Sequence, residues 1–196
     1  MTATAETLSH KPLTFEEEVI AATPSEARMK ICIQCGSCGG SCPSGADMDH
    51  TPRAIFAMVK AGMRDDVLKS NTPWYCVSCY YCMVRCPQEI HITDIMYTLK
   101  RMAIQAGKYD AHVRDAPEFS ETFIDYIKKY GRSFEFGLAS RYHLAHHPLD
   151  MPKMAPMGLG MWRKGRMDLA LSRKPIKGIE QLKNILAKAE EIGGLP

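Results

Sequence analysis

Eight cysteines fall into two runs of one spacing. Cys32, Cys35, Cys38 and Cys42 form the first, Cys76, Cys79, Cys82 and Cys86 the second, and each reads C-x2-C-x2-C-x3-C-P with Pro43 and Pro87 closing the runs. Three thiols spaced three residues apart curl around one face of a compact group, and a fourth donor must then reach it from elsewhere. A disulfide framework belongs to small secreted chains, yet no apolar signal segment opens Met1 to Ala22. Structural zinc takes two C-x2-C pairs, whereas each run here offers three cysteines in a row and a Cys-Pro pair. No ninth cysteine remains for a thiol nucleophile or a third four-cysteine site.

This spacing is the ligand pattern of bacterial two-cluster ferredoxins, in which the fourth cysteine of each run serves the other cluster. It assigns one [4Fe-4S] cluster to Cys32, Cys35, Cys38 and Cys86, and a second to Cys76, Cys79, Cys82 and Cys42. Proteins holding two such clusters mostly move electrons. No residue is singled out as catalytic.

A chain of 196 residues suits one or two small domains, and no stretch approaches the roughly 18 apolar residues of a membrane span. The expectation is a cytoplasmic protein, peripheral to a membrane only through a partner. The formal charge of +3 counts thiols as neutral, and two oxidised clusters at about two negative charges each reverse its sign. Charge is uneven along the chain: residues 1 to 127 hold 12 Lys and Arg against 16 Asp and Glu, whereas residues 128 to 188 hold 13 against 4.

The runs repeat at an offset of 44 residues. After each Cys-Pro comes a loop and a threonine suited to cap a helix, Thr51 or Thr93, and each helix ends in Ala-Gly, at Gly62 or Gly107. Pro52 fits a first helical turn. Ile55, Met58, Val59 and Met63 recur at helical spacing, as do Ile95, Met96, Leu99, Met102 and Ala103. The 33 residues between Cys42 and Cys76 hold one helix and a second short one at Arg64 to Lys69. The fold class expected is mainly α: a helical dicluster ferredoxin domain over residues 28–110, a helical or irregular extension over 1–27, and a helical and irregular partner-binding extension over 111–196.

Gly36, Gly39, Gly40 and Gly45 keep bulk from the first run, whereas Trp74, Tyr75, Tyr80 and Tyr81 crowd the second. Hydrogen bonds and solvent raise a cluster's potential and apolar burial lowers it, so two unequal potentials are expected, the higher at the first run.

The stretch from Ile31 to Gly107, with TPRAIFAMVKAGM, NTPWYCVSCYYCMVRCP and ITDIMYTLKRMA, resembles the C-type subunit of heterodisulfide reductase, including its relatives in sulfur oxidation. YGRSFEFGL and MGLGMWRKGRMDL extend the likeness more loosely. The resemblance implies a helical ferredoxin fold and an electron-transfer subunit of an oxidoreductase complex. It also implies two partners, an A-type subunit with flavin and clusters and a cysteine-rich catalytic B-type subunit. This chain has no adjacent Cys-Cys pair and no G-x-G-x-x-G, so flavin and substrate belong on other chains. The same cysteine spacing serves iron-sulfur subunits of succinate and glycerol-3-phosphate dehydrogenases feeding quinone, which is the alternative reading.

Residues 108 to 131 read as one helix or two, with Phe119, Phe123, Ile124 and Ile127 as an apolar stripe packing on the core. His143, His146 and His147 precede Pro148 in a loop with no acidic or cysteine companion at ligand spacing, which argues against metal binding. Met151, Met154, Met157, Met161 and Met167 punctuate a Pro- and Gly-rich segment fit to cover an irregular surface. Ile179 to Ile192 reads as an amphipathic helix. The basic clusters Arg163, Lys164, Arg166 and Arg173, Lys174, Lys177 have only Trp162 beside them, too little aromatic surface for nucleic acid.

Overall fold

The computed structural model describes residues 13–24, 26–109, 113–166 and 175–193, which are helical with no strand among them. The chain divides into two units, residues 1–114 and 115–196.

The first unit begins with α1, Phe15–Ala22, which a capping box starts: the Thr14 hydroxyl accepts from the Glu17 N–H, and the Glu17 carboxylate accepts from the Thr14 N–H at 2.9 Å. The N-terminal extension, expected to be helical or irregular, thus contains a helix, and Thr14-x-x-Glu17 is its sequence signature. Two copies of one pattern follow. In the first, the four-residue turn α2, Ser37–Gly40, leads to α3, Pro52–Lys60, and α4, Arg64–Lys69. In the second, the turn α5, Tyr81–Val84, leads to α6, Ile92–Ala106.

Thr51 caps α3 as expected, accepting from the Ala54 N–H at 3.3 Å with Pro52 in the first turn. Gly107 closes α6 at φ 59°. Thr93, however, is not the cap of α6. The helix begins two residues earlier, at Ile92 after His91, and Thr93 is buried inside its first turn with its hydroxyl 4.0 Å from the Cys82 sulfur. The loop after Cys86 is shorter than the loop after Cys42, so the threonine is drawn inward.

Repetition extends to single backbone angles. Gln34 and Ser78, equivalent in the repeat, are left-handed at φ 58° and 55°. Gly36 and Tyr80 are likewise left-handed at φ 86° and 63°. A side chain costs energy in that region, so Tyr80 keeps the cluster loop's shape where its counterpart uses glycine.

One core unites both copies. Ile55, Phe56 and Val59 from α3, Val67 and Leu68 from α4, and Ile95, Met96, Leu99 and Ala103 from α6 are buried together with Phe15 and Val19 of α1. Each of these side chains except Ala103 contributes roughly 1.5–3 kcal/mol by leaving water. Met63, read as part of the first stripe, is exposed, because the chain has left α3 by that point. Cys32, Cys38, Cys76, Cys82 and Cys86 pack against the edge of this core.

The second unit comprises α7, Asp115–Tyr130, α8, Glu135–His146, α9, Met151–Arg163, and α10, Ile179–Gly193. One helix spans 115–130, but its buried residues are Pro117, Thr122 and Tyr126, while Phe119, Phe123 and Ile124 are exposed. The expected stripe is therefore displaced by about a third of a turn, and α8 sets the change: Gly137 lies against the Tyr126 hydroxyl where any Cβ would clash. His143 and His146 belong to α8 and His147 is its C-cap, which corrects their reading as a loop. Residues 151–163 are helical despite Pro156 within the helix and Gly158 and Gly160. Met167, Arg173 and Lys174 lie outside the described residues.

Candidate iron-sulfur site

Folding brings the cysteines of the two runs into two pockets, each mixed. Cys32, Cys35 and Cys38 line one pocket with Cys86, alongside Arg53, Phe56 and Ile90. Cys76, Cys79 and Cys82 line the other with Cys42, alongside Met48, Thr93 and Met96. All eight thiols are free of disulfides; Cys35 and Cys79 are exposed and the other six half-buried.

The repeat explains the crossing. In each run a turn of helix carries the third cysteine, and the chain then passes the fourth toward the neighbouring copy. The turns α2 and α5 pack on one another, with Arg85 donating to the Ser41 hydroxyl at 3.4 Å. Ser41 and Arg85 are equivalent positions directly before the two fourth cysteines.

Electrostatics separate the thiols. Burial pushes Cys38 up to about 11, and the charges of Cys32 and Cys82 add to it. Cys42 and Cys82 are also raised, first by burial and then by the charges of Cys76 and Cys79. Cys35 is lowered by its side-chain hydrogen bond with Ser37 and by the Ser37 backbone N–H. Sulfurs that crowd and repel as thiolates suit a cationic metal core, because its positive charge stabilises all of them together. Four soft donors per pocket, with no carboxylate or imidazole among them, fit iron and sulfur.

Cations line the approach. Lys60 donates to the Lys30 and Cys32 carbonyls at 3.3 and 3.4 Å. Lys100 donates to the Cys76 carbonyl at 3.3 Å while lying 5.0 Å from the Tyr97 ring centre and 6.0 Å from that of Trp74. These lysines carry no sequence signal at the cysteine runs, since they reach back from α3 and α6.

Residues 28–90 match the 4Fe-4S dicluster domain family. That span contains both runs and both pockets. Residues 28–90 form a 4Fe-4S dicluster domain. The dicluster domain is helical and binds two [4Fe-4S] clusters.

Around this dicluster domain the chain is homologous to the C-type subunits of heterodisulfide reductases. It is 47% identical over 79 residues to an iron-sulfur C-type subunit of the CoB–CoM heterodisulfide reductase of Methanocaldococcus jannaschii, covering 40% of this chain and 42% of that one. It is 39% identical over 99 residues to a C-type subunit of the H2/formate:CoB-CoM heterodisulfide,ferredoxin reductase of Methanococcus maripaludis, covering 47% and 53%. The iron-sulfur C-type subunit of the CoB–CoM heterodisulfide reductase of Methanopyrus kandleri is 36% identical over 97 residues, covering 50% and 47%. The chain spans about half the length of the curated relatives it matches.

The aromatic crowd of the second run is only partly realised. Trp74 packs against the core, but Tyr75, Tyr80 and Tyr81 are 45%, 48% and 59% exposed and leave that pocket's rim open. Ile33 and Val77, each directly after the first cysteine of its run, are 61% and 67% exposed, so both pockets present apolar surface outward.

Outside the dicluster domain, Met154, Met157 and Met161 line an open apolar groove with Phe136 and Trp162, a volume of about 630 Å³. The histidines have acidic companions that sequence spacing hides: His146 meets Glu118 and His147 meets Asp115. Among the described residues, no helix is long and apolar enough to cross a membrane.

Proposed function

We propose that this chain is an electron-transfer subunit of a heterodisulfide-reductase-like complex, relaying electrons between an A-type flavin and iron-sulfur subunit and a B-type catalytic subunit. Cys32, Cys35, Cys38 and Cys86 hold one cluster, and Cys76, Cys79, Cys82 and Cys42 the other. The observation that carries the reading is the composition of the two pockets, three cysteines of one run with the fourth of the other.

Each cluster, when bound, accepts and returns one electron with little change of structure. The protein's residues do the rest. The core holds the two pockets fixed, so few groups need to move when charge changes. Crossed ligands tie the two repeats together. Lys60 and Lys100 place positive charge beside Cys32 and Cys76 and favour the reduced, more negative state. The exposed rims at Ile33 and Val77 give each pocket its own contact surface, as a relay with separate donor and acceptor requires. The names of the homologues, each a part of a heterodisulfide reductase, support a complex of this kind.

The test is anaerobic purification of the native protein followed by mass spectrometry of its companions. The expected result is a flavoprotein with clusters together with a cysteine-rich protein. A dehydrogenase flavoprotein or a quinone-binding membrane chain in their place would keep the relay and replace the complex.

A further inference from the structure

His143, His146 and His147 serve no purpose in the cluster pockets, and the fold does not leave them alone. The C-terminal end of α8 meets the first turn of α7, which carries Asp115 and Glu118. His146 Nδ1 lies 2.9 Å from Glu118 Oε2, and His147 Nε2 lies 3.1 Å from Asp115 Oδ1. Donor atoms of Asp115, Glu118 and His147 are all within 4.8 Å of one another.

We propose that Asp115, Glu118 and His147 form a site for one divalent transition-metal ion of the zinc class, clamping the start of α7 to the end of α8. Zinc binds nitrogen and oxygen donors at about 2.0–2.2 Å, so the edges of its tetrahedron are about 3.3 Å. The His147–Asp115 contact is already near that length, and contraction of the remaining separations among these three donors by up to about 1.5 Å closes the set. Two carboxylates cancel the charge of a divalent ion, and a neutral imidazole completes a mixed set that suits zinc better than magnesium or calcium. Two independent hydrogen-bonded pairs would not need the donors from both pairs to converge.

The surroundings are ordered around the same point. The Tyr142 ring lies 5.4, 5.3 and 5.6 Å from the rings of His143, His146 and His147. Its hydroxyl is 3.4 Å from His147 Nε2 and 3.4 Å from the Asp115 carbonyl, and Phe119 meets its ring edge-on at 5.5 Å. Glu118 and His146 are only 22% and 28% exposed. The three donors come from both helices and leave the fourth position to water, so metal binding stabilises the α7 and α8 pair.

The experiment uses the full chain with both clusters assembled under anaerobic conditions, dialysed against zinc chloride and desalted. Iron and zinc are counted by mass spectrometry, and zinc K-edge absorption reads the donors. The expected result is about one zinc per chain, with only nitrogen and oxygen at about 2.0 Å. His147→Gln and the surface variant Asp115→Asn should each weaken retention at least about 100-fold, since even outer-shell changes cost 10- to 100-fold. Iron content should be unchanged in both. Zinc that is not retained, a sulfur shell at about 2.3 Å, or equal retention by both variants would overturn the proposal.

Discussion

Asp49 and Asn71 exchange hydrogen bonds across the repeat: the Asp49 N–H donates to Asn71 Oδ1 at 2.7 Å, and the Asn71 N–H donates to Asp49 Oδ2 at 2.8 Å. The next residues do the same, His50 and Thr72 pairing through the Thr72 hydroxyl at 3.0 and 2.7 Å. Asn71 also donates to the Asp47 carbonyl at 3.0 Å. This staple fixes the segment after the first cysteine run against the segment before the second, and so sets how the two runs face each other.

Asn71→Leu should therefore destabilise the cluster-loaded protein by about 1–3 kcal/mol, because the buried Asn71 side chain carries the hydrogen bonds to the Asp49 N–H and the Asp47 carbonyl. Anaerobic denaturation followed by circular dichroism measures it. A loss under about 0.5 kcal/mol would mean that water replaces the staple.

Exchanging the fourth cysteines separates crossed from uncrossed ligation. Cys42→Ser should alter the cluster held by Cys76, Cys79 and Cys82, and Cys86→Ser the one held by Cys32, Cys35 and Cys38. Electron paramagnetic resonance of the reduced variants, each compared with a Cys35→Ser reference, reads which signal changes; the opposite pairing would refute the assignment.

Thiol reactivity before cluster assembly should follow the shifted acidities. Cys35 is exposed and lowered by Ser37, so its thiolate fraction grows before that of Cys38 as pH rises. Cys38 stays protonated until pH approaches about 11, because burial disfavours its charge. In the metal-free chain at about pH 8, alkylation mapped by mass spectrometry should label Cys35 well before Cys38, with the gap closing only in strong alkali. Equal rates at pH 8 would show that the metal-free chain lacks these pockets.

Lys100→Met should lower the midpoint potential of the cluster beside Cys76 by roughly tens of millivolts, since a positive charge a few ångströms outside the pocket favours the reduced state and water screens part of it. Lys100→Arg should restore most of the value. A potential unmoved in Lys100→Met would show that solvent screens the ammonium completely.

What the cysteine pattern determines is chemical and local. Eight soft donors at that spacing dictate the two clusters, and the Thr51 cap, the Ala-Gly ends and the apolar periodicity of α3 and α6 dictate the helices beside them, because such signals act within a few residues. Pro156 misleads for the same reason: a local breaker is outweighed when neighbouring residues can still close the helix. Thr93, Tyr126 and Gly137 take positions that depend on partners far along the chain, so their roles escape any local rule. The Asp49–Asn71 staple, the lysines on the Cys32 and Cys76 carbonyls and the meeting of Asp115 and Glu118 with His146 and His147 were likewise decided only by tertiary structure. Each joins residues 22 to 32 apart. Helical spacing relates residues three and four apart, whereas the packing of one helix on another decides which distant side chains share a point in space.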